Sequence, residues 1–292
     1  MNLIIKNKFY CSNRLTLAIF SIAAIAQLLC SGCSLDSQYY EQRKTDSYTL
    51  GFNIIPQSQV DVNVSFTSNG NLIYGVFIKA LNRTANTPTI LYFHGNDKDI
   101  EKYWARMEKL YPLGTNIFIF DYQGYGKSTG SPSLSAIQQN SIDALTYLKT
   151  RAEVNPNKII YYGFSLGGVF ELRLAAQTFQ PAAAIGEALP ASTDALAHTV
   201  LRTSVPSEDF FDETFDNVAM IKQLRAPVLL FHGTKDEKLP FHENADPLFD
   251  AALQPKTTVA VEGSLHDQVI DTLGQAQYLS IIQNFLQQNK VE

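Results

Sequence analysis

The sequence has little cysteine and keeps all of it at one end: Cys11, Cys30 and Cys33 are the only three in 292 residues. Beyond Cys33 no disulfide, redox dithiol or thiolate zinc site can form. Charge is also sparse at 17%, and basic charge sparser still. With Lys6, Lys8 and Arg14 set aside among the first 32 residues, 28 acidic side chains face 20 basic ones. A general nucleic-acid binder needs a basic footprint, so that class is excluded. No internal repeat or low-complexity tract is visible, and 45% hydrophobic content excludes disordered, collagen-like and coiled-coil chains. The 260 residues after position 32 suit one large α/β domain better than two small ones.

Lys6, Lys8 and Arg14 precede an apolar run from Leu15 to Cys30, which then meets Ser31-Gly32-Cys33. Charged, apolar and small-residue regions in that order make an export signal. Thr16, Ser21 and Gln27 interrupt the run, which is shorter than the ~20 residues of a spanning helix. Cys30-Ser31-Gly32-Cys33 resembles the lipobox of bacterial lipoproteins, departing from it at Cys30, where that family carries Leu, Val or Ile. The resemblance implies that residues 1–32 are a removed signal peptide. It also implies that Cys33 is lipidated and that the protein is anchored in the bacterial cell envelope. Ser34 in place of Asp after Cys33 implies the outer membrane, facing the periplasm. An uncleaved short anchor is the alternative. Residues 33–59 are polar and weakly patterned, and are expected to form a tether.

From Val60 the pattern changes. Val60, Val62, Val64 and Phe66 alternate with other residues, Ser68-Asn69-Gly70-Asn71 supplies a turn, and Leu72–Lys79 returns as a second strand, which is a hairpin signature. Short apolar strands then alternate with helix-length segments. Strands are expected at Thr89–Phe93, Asn116–Asp121, Lys158–Gly163, Ala182–Glu187, Ala226–His232 and Thr257–Val261. Helices are expected near Asp99–Leu110, Leu134–Ala152, Leu166–Thr178, Glu243–Leu253 and Asp267–Gln288. Runs such as Ile117-Phe118-Ile119-Phe120 do not alternate, as in strands covered on both faces. The expected architecture is α/β, a mostly parallel sheet with helices on both faces, over residues 60–290. The interval 188–225 is too long for an ordinary connection and is expected to form a small helical cap. Its acidic, aromatic stretch Ser207–Asp216 is read either as surface whose phenylalanines pack down or as a selector against anionic substrates.

Gly163-Phe164-Ser165-Leu166-Gly167 matches G-x-S-x-G after a strand and before a helix, the context that confers meaning on the motif. A serine hydroxyl needs a base, and the base an orienting acid. Five histidines are available: His94, His198, His232, His242 and His266. His266 lies in a loop after the last strand, where open α/β sheets bind ligands, and is the expected base. His94 and His232 end strands, His232 reading as structural; His242 reads as surface and His198 as part of the cap. Asp236 follows the strand ending near His232 and is the expected acid. Glu187 is the runner-up, and Asp267, next to His266 in the chain, is poorly placed. The expected oxyanion donors are the amides of Leu166, just past the nucleophile, and Asn96, in Phe93-His94-Gly95-Asn96. The Asn96 side chain has no assigned role. Gly126-Lys127-Ser128 ends like a phosphate-binding loop, but position 121, which would need glycine, is Asp. No grouping of ligands suggests a metal.

These five separated motifs, Phe93–Asn96, Asp121–Ser128, Gly163–Gly167, His232–Asp236 and Gly263–Asp267, occur in an order that resembles the α/β-hydrolase superfamily, in its small serine-hydrolase branch with a His-Gly-Asn oxyanion loop. The resemblance covers about Val60 to Gln288. It implies hydrolysis of a small-molecule ester or thioester through an acyl-enzyme intermediate, without a cofactor. Acyl transfer or peptide hydrolysis by the same three residues, and a non-catalytic binding lipoprotein, are the alternatives.

Overall fold

The computed structural model of the protein describes residues 39–201, 206–209 and 211–291. The expected signal peptide and Cys33 lie outside them. Strand β1 is Glu41–Gln42, and β2 (Val60–Ser68) and β3 (Asn71–Ile78) form the expected hairpin. Then follow β4 (Thr89–Phe93), β5 (Asp97–Lys98), helix α1 (Ile100–Leu110), β6 (Asn116–Phe120), α2 (Leu134–Thr150), β7 (Ile159–Phe164), α3 (Gly167–Gln177) and β8 (Ala183–Glu187). The remainder is α4 (Thr193–Leu201), α5 (Asn217–Ile221), β9 (Val228–Gly233), α6 (Phe241–Ala251), β10 (Lys256–Val261), α7 (Val269–Leu273) and α8 (Gln275–Gln288). An eight-stranded sheet runs in the order β10-β9-β8-β7-β4-β6-β3-β2. It is parallel from β10 to β6 and antiparallel at β3 and β2.

Strand periodicity sorts the core into two layers. Leu91, Phe93, Phe118, Phe120 and Tyr161 point to one face, where α2, α3 and α6 pack. Ile90, Tyr92, Ile117, Ile119 and Tyr162 point to the other, under α1 and α8. Successive side chains of a strand leave on opposite faces, so strands covered twice must be apolar throughout. β2 keeps an exposed face and accordingly alternates. Helix starts are marked by side-chain caps: Asp99 accepts from the Glu101 amide at 3.0 Å and Ser133 from the Ala136 amide at 3.1 Å, satisfying donors that a helix leaves open.

Two expectations change. The single helix over 267–288 is two helices, because Gly274 takes φ +79° between α7 and α8. The tether of residues 33–59 is, from Tyr40 onward, packed on the domain. Tyr40 and Ile55 are buried, and Arg43 pairs with Asp99 and Glu101. Glu108 accepts from the amides of Asn53, Ile54 and Ile55 at 3.1, 2.5 and 3.4 Å. The segment's partners Asp99, Glu101 and Glu108 lie at the N-cap of α1 and on it, more than fifty residues away, so local patterning does not reveal the order. The interval 188–225 carries α4, a 3-10 turn at Ser207–Asp209 and α5, and its acidic stretch faces two ways. Phe215 is buried in the core and Phe211 meets the Tyr39 ring. The Glu213 carboxylate accepts from the Ser135 amide in the first turn of α2.

Candidate active site

The loops after β4, β7, β9 and β10 leave the same, carboxyl edge of the parallel strands, where such sheets bind ligands. Ser165 sits between β7 and α3 with φ +53°, a left-handed backbone that costs a non-glycine residue about 1–2 kcal/mol. Neighbours hold it there. Its amide donates to the Glu187 carbonyl and its carbonyl accepts from the Gly168 amide, both at 3.0 Å. The two glycines of the motif answer to close packing. A Cβ on Gly167 would run into the Phe93 carbonyl, and one on Gly163 into the Glu171 carboxyl and Gly168.

His266 and Asp236 meet this serine. His266 Nε2 is 2.9 Å from Ser165 Oγ, and Nδ1 is 2.7 Å from Asp236 Oδ2. The loops carrying the two residues are stitched together. The Lys235 amide donates to the Ser264 carbonyl at 3.0 Å and the Gly263 amide to Thr234 Oγ1 at 2.9 Å. Asp236 Oδ1 accepts from the Lys238 and Leu239 amides at 2.9 and 2.8 Å. Burial works against a charge on Asp236, but the hydrogen bonds from His232, His266 and the Leu239 amide outweigh it and hold the carboxyl far below its usual range. An ionised Asp236 makes His266 donate from Nδ1, which leaves the Nε2 lone pair facing the Ser165 hydroxyl.

The other candidates are placed elsewhere. Glu187, the runner-up acid, is fully buried and receives Arg106 at 2.8 and 3.1 Å and the hydroxyls of Tyr162 and Tyr278, each at 2.8 Å. Burial opposes its charge, but Arg106 and the two tyrosines keep its carboxyl below the ordinary value. Asp267 is exposed, and its carbonyl accepts from Arg106 at 3.3 Å. His232 lies 3.3 Å from Asp236 Oδ2 and donates from Nε2 to the Leu239 carbonyl at 2.8 Å. Its contact with the acid was missed from sequence, although a spacing of four residues across a strand end was a usable signal. His198 and His242 are exposed beside Glu243 and Asp246. His94 is buried, stacked 4.0 Å from Tyr122 and bonded through Nδ1 to the Gly95 carbonyl at 2.7 Å. Burial lowers its pKa to about 4, so the ring is neutral.

Leu166 stands at the N-cap of α3, and the start of that helix abuts the exit of β4 at Phe93 and His94. Asn96 follows one residue later, after Gly95. Among the described residues, neither the Leu166 nor the Asn96 amide donates to a protein acceptor. The Asn96 side chain, left without a role in the sequence, is fully engaged. Its Oδ1 accepts from Tyr125 Oη at 2.7 Å and the Glu41 amide at 3.3 Å, and its Nδ2 donates to the Tyr39 carbonyl at 2.6 Å. The phosphate-loop decoy is a folded corner, with Ser128 Oγ donating to the Asp121 carbonyl at 2.7 Å.

Comparisons with known proteins bear on the family and the fold. The family model described as "Serine aminopeptidase, S33" matches residues 84–207. Alpha/beta hydrolase domain-containing protein 17B of Xenopus laevis is 31% identical over 232 residues, which span 77% of this chain and 74% of that protein. An uncharacterized protein, YfhR, of Escherichia coli K12 is 28% identical over 209 residues, 70% and 72% of the two chains. Among solved structures, esterase Pf2001 of Pyrococcus furiosus superposes with a TM-score of 0.63 at 18% identity, over 77% of this chain and 89% of its own. Est1E of Butyrivibrio proteoclasticus, solved with ferulic acid, reaches 0.65 at 19%, over 78% of this chain and all of its own. With its sheet order, the left-handed turn at Ser165 and a relative 31% identical over most of both chains, the chain belongs to the α/β-hydrolase superfamily of hydrolases.

Proposed function

We propose that the protein is a serine hydrolase that cleaves carboxylic ester or thioester bonds through an acyl-enzyme. The observation that carries this reading is the unbroken line of hydrogen bonds from Asp236 through His266 to Ser165, with Ser165 held in a left-handed turn. Ser165 attacks the carbonyl while His266 Nε2 takes its proton and then returns it to the leaving group. Asp236 keeps the ring in the required tautomer and stabilises the imidazolium. The Leu166 and Asn96 amides face the developing oxyanion, where donors count most because charge appears only in the transition state. A fluorophosphonate probe should label the wild type and leave Ser165→Ala unlabelled; equal labelling of both would remove Ser165 from the mechanism. Peptide-bond cleavage is a second reading, favoured by the aminopeptidase family model over residues 84–207. Turnover of aminoacyl amides in preference to p-nitrophenyl esters would select it.

The proposal includes the location. The lipobox-like Cys30–Cys33 implies a diacylglyceryl group on Cys33 and an anchor in the bacterial envelope, with the catalytic domain in the periplasm. Multiple acyl chains are needed for a firm anchor. Cys33→Ser should move the protein from the membrane fraction to the soluble one, and an unchanged distribution would refute the anchor.

A further inference from the structure

The segment ahead of the sheet does more than join the leader to the domain. The loop that follows β4 is held by Tyr39–Arg43 at successive positions. The Tyr39 carbonyl and the Glu41 amide grip the Asn96 amide group from both ends. β1 pairs in parallel with β5, Glu41 opposite Asp97 and Gln42 opposite Lys98. The Arg43 amide donates to the Lys98 carbonyl at 3.2 Å, and its guanidinium grips Asp99, with Nη2 to Oδ1 at 2.8 Å. Lys98 has φ +62°, a conformation that a lysine keeps only where its surroundings hold it. From the domain side Tyr125 Oη completes the grip on Asn96 Oδ1.

We propose that Tyr39–Arg43 is a positioning element for the oxyanion donor. It acts with Tyr125 through the Asn96 side chain to aim the Asn96 amide at the reacting carbonyl oxygen. This inference rests on the serine-hydrolase reading and adds a regulatory consequence. Activity depends on a segment only six residues beyond Cys33, so a pull or displacement there weakens the oxyanion site without touching Ser165, His266 or Asp236. An amide a few tenths of an ångström off its target loses stabilisation mostly in the transition state, so the loss falls on kcat and not on KM.

The test uses the protein made from the full chain, with p-nitrophenyl acetate as substrate. Asn96→Ala keeps the backbone N–H and removes only the handle by which it is held. Glu41→Pro removes one donor, and Tyr125→Phe removes one hydroxyl. We expect kcat to fall about tenfold to a hundredfold in Asn96→Ala and about threefold to tenfold in the other two, with KM within about twofold. Once Asn96 is Ala, adding Glu41→Pro or Tyr125→Phe should cost nothing further, because the handle is already gone. Losses that multiply independently, or a raised KM with kcat unchanged, would overturn the inference. Tyr125→Phe, which deletes a single oxygen, keeps the test open if Glu41→Pro fails to fold. A wild type that reacts with fluorophosphonate while all three variants match its kcat overturns the positioning role alone. A wild type that neither labels nor turns over overturns the serine-hydrolase reading as well.

Discussion

Asp121 and Asp236 occupy similar places and end in opposite states. Each follows a parallel strand, β6 or β9, at the carboxyl edge of the sheet, and each is buried. Burial raises the pKa of both. Asp236 receives two backbone amides and His266, with His232 alongside, and its carboxyl falls well below the ordinary range. Asp121 receives the Ile100 and Lys127 amides and the Tyr48 hydroxyl, but the neighbouring Asp99 carboxyl works with burial against its charge. There burial wins, and the carboxyl rises to about 7. Depth alone therefore decides neither charge nor role; the number and kind of donors do. Only the Asp236 carboxyl is suited to holding a histidine in one tautomer at neutral pH.

The largest effect is expected when the charge is removed from Asp236 while its shape is kept. In Asp236→Asn the two backbone amides at the Oδ1 position select the amide oxygen, which turns the NH2 group toward His266. Nδ1 must then accept, Nε2 carries the proton, and the lone pair facing Ser165 is lost. The kcat/KM for p-nitrophenyl acetate should fall about ten-thousandfold, the size seen when the same charge is removed from chymotrypsin-type proteases. A loss under tenfold would break the assignment.

Sequence legibility divides along the same line. Ser165, Asp236 and His266 were readable because each follows its own strand in a short loop, and strand alternation already implied that those loops share one edge. Their contacts are local to loops that the parallel sheet brings side by side. The proposed oxyanion half was readable only as far as the backbone of Asn96. Its side chain is held by Tyr39, Glu41 and Tyr125, and the first two lie in a stretch without periodicity that reads as a tether. Order there comes from single hydrogen bonds to residues some 55 positions away, and such bonds leave no period in a sequence. Gly274 was visible as a residue but not as a break, since one glycine inside an apolar helical pattern is often tolerated.

A smaller effect is expected at Asp121, because that carboxyl has a neighbour of opposite tendency. His94 Nε2 lies 3.7 Å from Asp121 Oδ1. The folded Asp121, at about 7 against an ordinary 3.8, binds one more proton than the unfolded chain between about pH 4 and 7, so its contribution to stability falls as pH rises. The folded His94, at about 4 against an ordinary 6.5, binds one fewer between about pH 4 and 6.5, so its contribution rises over nearly the same window. Each alone changes stability by up to about 1.4 kcal/mol per pH unit. Together they offset one another, and the wild type should show little net slope from this pair. Asp121→Asn keeps an oxygen for the Ile100 amide and cannot ionise, so it uncovers His94. Chemical denaturation of that variant should show stability climbing by about 1 kcal/mol per unit between pH 4.5 and 6 relative to the wild type. Parallel curves for the two proteins would mean that Asp121 is already ionised in this window. Donors would then outweigh burial at Asp121 just as they do at Asp236.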